Sequence, residues 1–95
     1  MFYIKVEDKI MEDIARLDLY EEKLKNKPND ETIIKSYAIF LKKIGMRDKS
    51  EIECLKAIKL FKQLKEINIF EIKFCEDSIE ELENFRRSRQ NWETI

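Results

Sequence analysis

The strongest breakers of regular structure are almost absent from this 95-residue chain, which contains one proline, Pro28, and one glycine, Gly45. Proline lacks a backbone N–H and ends helices, whereas glycine adopts backbone conformations that close them. The segment between them carries apolar residues at helical spacing. We therefore predict three successive helices, with a short link at each of these two residues and with neighbouring helices packed antiparallel.

The first two helices are predicted from apolar residues three and four positions apart, which share one helical face. The first is expected to run from Asp8, as its cap, to about Lys25. Its inner face comprises Ile10, Ile14, Leu17, Tyr20 and Leu24. The second is expected to follow a cap at Asn29 or Asp30 and to end at Gly45 in the left-handed conformation. Its inner face comprises Ile33, Ile34, Tyr37, Ala38, Leu41 and Ile44.

A third helix is expected from about Lys49 to Glu66, opened by a capping box of Asp48 with Glu51. Its apolar residues recur every three positions, so the apolar stripe winds around the helix and should meet neighbours on more than one side. These residues are Ile52, Leu55, Ile58, Phe61, Leu64 and Ile67. We therefore expect this helix to be central. A last helix is predicted from a capping box of Ser78 with Glu81 to about Gln90.

Two short segments, residues 2–6 and 70–74, alternate apolar and polar side chains. This period of two is typical of a half-buried strand, and the two segments could pair as a two-stranded ribbon backed by the helices. The alternative is that both are the apolar ends of helices. The fold class predicted is mainly α, a small four-helix domain built on a central antiparallel helical hairpin, with this ribbon as an open question.

Composition and charge limit the functions to consider. Charged residues make up 41% of the chain and alternate with regularly spaced apolar ones, which favours one small soluble helical domain over residues 1–95. Residues 35–73 carry an excess of positive charge, whereas every charged residue in 74–83 is acidic. Such blocks can orient one helix against another or steer a charged partner. No segment is long and apolar enough for a membrane anchor and no signal peptide is visible, so a cytoplasmic location is expected.

Catalysis and cofactor binding are not expected. Histidine, the commonest general base and metal ligand, is absent, and a single glycine cannot build a phosphate-binding loop. Cys54 and Cys75 are too few for a disulfide scaffold, do not have zinc-site spacing, and are expected to be free buried thiols. We therefore predict neither enzyme activity, a metal site nor a cofactor.

Residues 28–60 resemble a tetratricopeptide repeat, a helical hairpin that binds peptides and partner proteins. The segment "KPNDETII" is similar to the linker and helix start between such repeats, and Ala38, Gly45 and Ala57 stand at the small-residue positions of the family. The resemblance implies that the first helix of the hairpin lines a groove, with Lys35, Ile39 and Lys42 facing a partner. The carboxylate-binding version of this groove also needs asparagines, which this helix lacks.

The C-terminal segment, residues 86–95, is a candidate binding tail with Arg86, Arg87, Arg89 and the only tryptophan, Trp92. Arginine and tryptophan are frequent binding hot spots. An alternative interpretation is structural, with Trp92 folded onto the core and the arginines compensating the carbonyl end of the preceding helix.

Two functions follow from these residues. The first is a non-enzymatic protein–protein interaction module, such as a small adaptor, inhibitor or regulator, with a protein partner or a second copy of the chain. The second is a small nucleic-acid-binding regulator, in which a row of lysines joins the C-terminal arginines in contacting phosphates. The row comprises Lys56, Lys59, Lys62 and Lys65.

Overall fold

Four α-helices and one short 3₁₀ turn make up the fold. A computed structural model describes the backbone of residues 2–89 and the side chains of residues 11–89. The helices are α1 (Phe2–Asn26), α2 (Glu31–Arg47), α3 (Glu51–Ile67) and α4 (Ile72–Arg87), and the 3₁₀ turn Ile69–Glu71 links α3 to α4. The prediction of a mainly α, four-helix fold is confirmed.

The two segments that alternate in sequence are helical. Residues 2–6 form the start of α1, and residues 70–74 lie in the 3₁₀ turn and the first turn of α4, so residues 2–89 contain no strand. The ribbon interpretation is wrong and the helix-end interpretation is confirmed. Five alternating residues are too few to distinguish the two-residue period of a strand from the 3.6-residue period of a helix. An isolated two-stranded ribbon is also only marginally stable. The expected cap at Asp8 is also wrong, because that residue lies inside α1.

Helix α2 begins where the sequence indicated but does not end at its glycine. The Asp30 side chain accepts a hydrogen bond from the Ile33 backbone N–H at 3.1 Å, as expected of a cap. Gly45, however, lies inside α2 and does not have a positive φ. The left-handed residue is Lys49, with a φ of 53°, four residues later. The turn between α2 and α3 is therefore made without glycine.

Both predicted capping boxes are wrong. The cap of α3 is Ser50, whose hydroxyl accepts from the Glu53 N–H and contacts the Glu53 carboxylate. Ser50 rather than Asp48 caps the helix because serine at the cap with glutamate three residues later matches the capping box more closely than aspartate does. Helix α4 already begins at Ile72, so Ser78 is a buried residue inside it rather than its cap.

Gly45 is required because α2 and α3 approach closely at this point. A Cβ atom on Gly45 would lie 2.9 Å from the Cys54 Sγ atom and 3.0 Å from the Cys54 backbone nitrogen. Ala38 and Ala57, the two other small residues of the hairpin, are fully buried. The small residues therefore serve helix packing.

Helix α3 lies between α2 and α4, as its winding apolar stripe predicted. Polar contacts between the helices show their relative directions. The Gln63 side chain near the end of α3 donates to the Pro28 carbonyl before α2, and Arg86 near the end of α4 pairs with Glu51 at the start of α3. Helix α3 is therefore antiparallel to both neighbours. Helices α2 and α4 run parallel, since Lys35 pairs with Glu71 and Lys42 with Glu81.

The core is formed by α2, α3 and α4. Fully buried side chains include Ile34 and Leu41 of α2, Phe61 and Leu64 of α3, and Leu82 of α4. Burial of each large apolar side chain contributes about 1.5–3 kcal/mol. Helix α1 supplies partly buried residues that pack against this core, namely Leu17, Tyr20 and Leu24.

The ends of the predicted α3 stripe, Ile52, Leu55 and Ile67, are exposed instead.

Replacement of Gly45 tests the close approach. Alanine inside a helix normally stabilises it by about 1 kcal/mol relative to glycine. At this position we expect Gly45→Ala to lower the free energy of unfolding, and Gly45→Val to lower it by about 1–3 kcal/mol, because the added methyl groups overlap Cys54. Urea denaturation of both variants measures the effect. In the Cys54→Ala background, the cost of Gly45→Ala should shrink. A Gly45→Ala protein more stable than the parent would contradict this packing.

Candidate binding surfaces

The groove residues implied by the tetratricopeptide resemblance lie together on α2 but are largely engaged with α4. The Lys35 ammonium pairs with Glu71 at 3.1 Å and lies 5.2 Å from the centre of the Phe74 ring. Lys42 pairs with Glu81. Ile39 is 44% exposed. A ligand that needs these two cations would have to compete with carboxylates of the same chain.

The row of four lysines does not form one basic face. Lys56 and Lys65 are nine residues apart, which is about two and a half helical turns, so they point to opposite sides of α3. Lys56 lies 3.8 Å from Glu21 of α1, and Lys65 lies 3.5 Å from Glu76 of α4. Lys59 and Lys62 lie between them and are exposed. The lysines are therefore divided among separate surfaces.

The three arginines of the C-terminal segment lie at the end of α4 and just beyond it. Arg86 pairs with Glu51 at 3.0 Å and with Glu83 at 3.2 Å, and Arg89 pairs with Glu51 at 2.9 Å. Arg87 donates to the Asn84 side chain at 2.7 Å. Two of the three arginines thus connect the end of α4 to the first turn of α3. Trp92 lies outside the described residues.

Sequence reasoning missed an exposed apolar cluster at the α3–α4 turn. It comprises Ile67, Ile69, Phe70, Ile72 and Phe74, and we call it the turn cluster. Phe70 is 90% exposed and Ile69 is 71% exposed. Phe74 packs edge-on against the buried Phe61, with ring centres 5.8 Å apart, so this member of the cluster is anchored to the core. The dense run of isoleucine and phenylalanine was a usable signal, but the strand interpretation assigned Phe70, Ile72 and Phe74 to a half-buried face, and Ile67 was predicted as part of the α3 stripe.

A groove, which we call the α1–α3 groove, runs between α1, α2 and α3. Its volume is about 240 Å³. Three leucines, one from each helix, and the Tyr37 ring line its apolar side, of which Leu24 is the most exposed, and two lysines and a glutamine provide its polar groups. The lining residues are Leu24, Tyr37, Leu41, Lys56, Lys59, Leu60 and Gln63. From sequence the two lysines are predicted only as part of a row that contacts phosphates, and the groove itself is not predicted.

Tyr37 connects the floor of this groove with α1. Its hydroxyl donates to the Glu21 carboxylate at 3.2 Å, and its ring stacks on Tyr20 with centres 5.3 Å apart. Burial, together with the negative charge of Glu21, raises the pKa of Tyr37 to about 12. Both effects favour the neutral phenol, so Tyr37 serves as a hydrogen-bond donor at neutral pH.

The described residues offer little for covalent or metal chemistry. Cys54 and Cys75 are free and buried, and burial raises the pKa of both thiols, which disfavours the reactive thiolate. Within the described part of the chain, no group of three or more cysteine, aspartate or glutamate side chains could hold a metal ion. None of the helices, over the residues described, has the length and apolar character needed to cross a bilayer.

The raised pKa of Tyr37 predicts a loss of stability at alkaline pH. The folded state holds the proton more tightly than the unfolded chain, whose tyrosines titrate near pH 10. This contribution to stability should be complete below about pH 10 and should be lost as the pH rises toward 12. Phenolate absorbance in the near ultraviolet should show one late tyrosine that disappears in Tyr37→Phe. Persistence of the late component in that variant would assign it to another tyrosine.

Comparison with known proteins gives no assignment. No family model, no curated protein and no solved structure matches this chain. The tetratricopeptide resemblance of residues 28–60 therefore stays a prediction that depends on the quoted residues. Helices α2 and α3 form an antiparallel hairpin over most of this range, an architecture that unrelated helical proteins share. The function has to be argued from the surfaces described above.

Proposed function

We propose that this protein is a non-enzymatic protein–protein interaction module that docks an apolar segment of another protein on the turn cluster. The observation that carries the proposal is the exposure of five large apolar side chains within residues 67–74. Isolated apolar residues on a surface are normal, but such a concentration is typical of an interaction site.

The charges around the turn cluster favour an apolar partner segment of low net charge. Lys35 pairs with Glu71, Lys65 with Glu76, and Lys73 with Asp77 at 3.6 Å. Within each pair the two opposite charges neutralise each other, so these pairs add no net charge to the edge of the turn cluster. Apolar burial would therefore supply most of the affinity, and the polar pairs would form the rim that most protein interfaces have.

Nucleic-acid binding has less support from the same side chains. Phosphate contacts need unpaired cations that can displace the counterions condensed on the nucleic acid. Lys56, Lys65, Arg86 and Arg89 each lie within 4.0 Å of a carboxylate of this chain. We therefore propose the turn cluster, rather than the C-terminal arginines, as the docking site. A contribution of Trp92 to binding stays a prediction.

The docking proposal is tested with Phe70→Ser. Partners captured from the source cells with the parent protein are purified and titrated individually. We expect Phe70→Ser to weaken the direct interaction at least about tenfold, since buried aromatic residues are frequent hot spots. Its free energy of unfolding should change by less than about 0.5 kcal/mol, because the side chain is 90% exposed.

Ile52→Ser provides the matched control, because Ile52 is 66% exposed at the opposite end of α3. It should leave binding unchanged. Equal binding by the parent and Phe70→Ser would contradict docking on the turn cluster. A labelled single-stranded oligonucleotide tests the alternative. Binding of the oligonucleotide that collapses as salt rises, and that is insensitive to Phe70→Ser, would favour a nucleic-acid function.

A further inference from the structure

The α1–α3 groove is a second feature of the surface, on a different part of the molecule from the turn cluster. Leu24 of α1 is its partly exposed apolar wall, and the largely buried Leu60 of α3 and Leu41 and Tyr37 of α2 lie beneath it. Its volume of about 240 Å³ lies below the range of about 300–1,000 Å³ that is usual for pockets of small-molecule ligands. A groove of this size, open along one side, suits one or two apolar side chains of a peptide.

Two of the polar groups of the groove are positively charged. Lys56 and Lys59 are three residues apart on α3 and lie on neighbouring positions of the helix surface. Over the described residues, no ion pair or hydrogen bond involves the ammonium group of Lys59. Gln63, the third polar residue, is already engaged with the Pro28 carbonyl at 2.9 Å. An occupant of the groove therefore meets two ammonium groups beside an apolar wall.

Among the described residues, the carboxylate that pairs with a lysine of this groove is Glu21, and the pair is weak. Glu21 lies 3.8 Å from Lys56 and also accepts the Tyr37 hydroxyl at 3.2 Å. The Lys56 and Glu21 side chains are 50% and 55% exposed. Such exposed pairs contribute little to stability, so a carboxylate from outside could replace Glu21 at small cost.

We propose that the α1–α3 groove binds an acidic peptide segment of a partner protein. A leucine-sized side chain of the peptide packs against Leu24 and the edge of Leu60, above the buried Leu41, and flanking carboxylates contact Lys59 and Lys56. Glu21 acts as an internal competitor for Lys56. The apolar contact supplies affinity, and the two lysines select an acidic sequence over a basic one. This site is independent of the docking surface proposed at the turn cluster.

The probe is a synthetic peptide of two helical turns or more, with leucines three and four residues apart and glutamates elsewhere. A second peptide carries lysine in place of every glutamate. Titration followed by methyl NMR and by fluorescence anisotropy should show that the acidic peptide binds and shifts the resonances of Leu24, Leu41 and Leu60. The lysine peptide should not bind, and the affinity of the acidic one should fall as salt rises.

Three variants separate the groove from general charge attraction. Lys59→Glu should weaken the acidic peptide about tenfold or more, whereas Glu21→Gln should tighten it severalfold by removing the competitor. Lys43→Glu makes the same charge change at an exposed lysine of α2 outside the groove and should have no comparable effect. Phe70→Ser should also leave the peptide affinity unchanged, so the two proposed sites can fail separately. Circular dichroism confirms that each variant is folded.

Four outcomes with the peptides and variants would each overturn the proposal, and so would a failure of the acidic peptide to bind. The four are equal binding of the acidic and basic peptides, equal weakening by Lys59→Glu and Lys43→Glu, weaker binding in Glu21→Gln, and peptide binding without shifts at the three leucines. Decanoate serves as a further probe for a free acidic lipid. If decanoate shifts the leucine resonances and the acidic peptide does not, the occupant is a lipid and the peptide assignment is wrong.

Discussion

The close approach of α2 and α3 at Gly45 is the constraint on which the other packing depends. With only hydrogen on this residue, the helix backbones come near enough for the Cys54 backbone nitrogen to lie 3.0 Å from where a Cβ would stand. This contact fixes the register of the hairpin. The opposite side of α3 is left to α4, whose Phe74 packs against the buried Phe61.

The uneven charge of the sequence is used largely inside the fold. The basic block contains most of α2 and α3, and the acidic block lies on α4. Pairs such as Lys42 with Glu81 and Lys65 with Glu76 join the two blocks across helix interfaces. In the sequence these charges suggest attraction of an outside partner. In the structure they pair with one another and help to orient the helices. This internal pairing leaves Lys59 as a cation whose position beside an apolar groove is informative.

Much of the helical architecture could be predicted, because it depends on local patterns. Asp30 as a cap and the central position of α3 follow from residue type and period. The role of Gly45 could not be read in the same way, since glycine is equally suited to a left-handed turn and to a close helix contact. The choice depends on where Cys54 lies in the folded chain. Likewise, the alternation around Phe70 is compatible with strand or helix, and only the packing of α3 and α4 leaves it exposed.

The candidate surfaces were harder to predict than the helices because each combines residues from distant parts of the sequence. Leu24, Leu41 and Lys59 form one groove although they belong to three helices. Their positions in the sequence do not indicate that the three side chains lie together. The lysine row was visible in sequence, but its division between α1 and α4 depends on which carboxylates stand opposite it.

The shallow attachment of α1 has a consequence for local unfolding. Over residues 11–26, its contacts with the core come from partly buried residues, and the fully buried core residues found among the described side chains all belong to the other three helices. Elements that bury little apolar surface open at lower free energy than the global transition. Helix α1 should therefore detach as a cooperative unit while the hairpin and α4 stay folded, and its amide hydrogens should exchange first. Each such opening removes Leu24 from the wall of the α1–α3 groove.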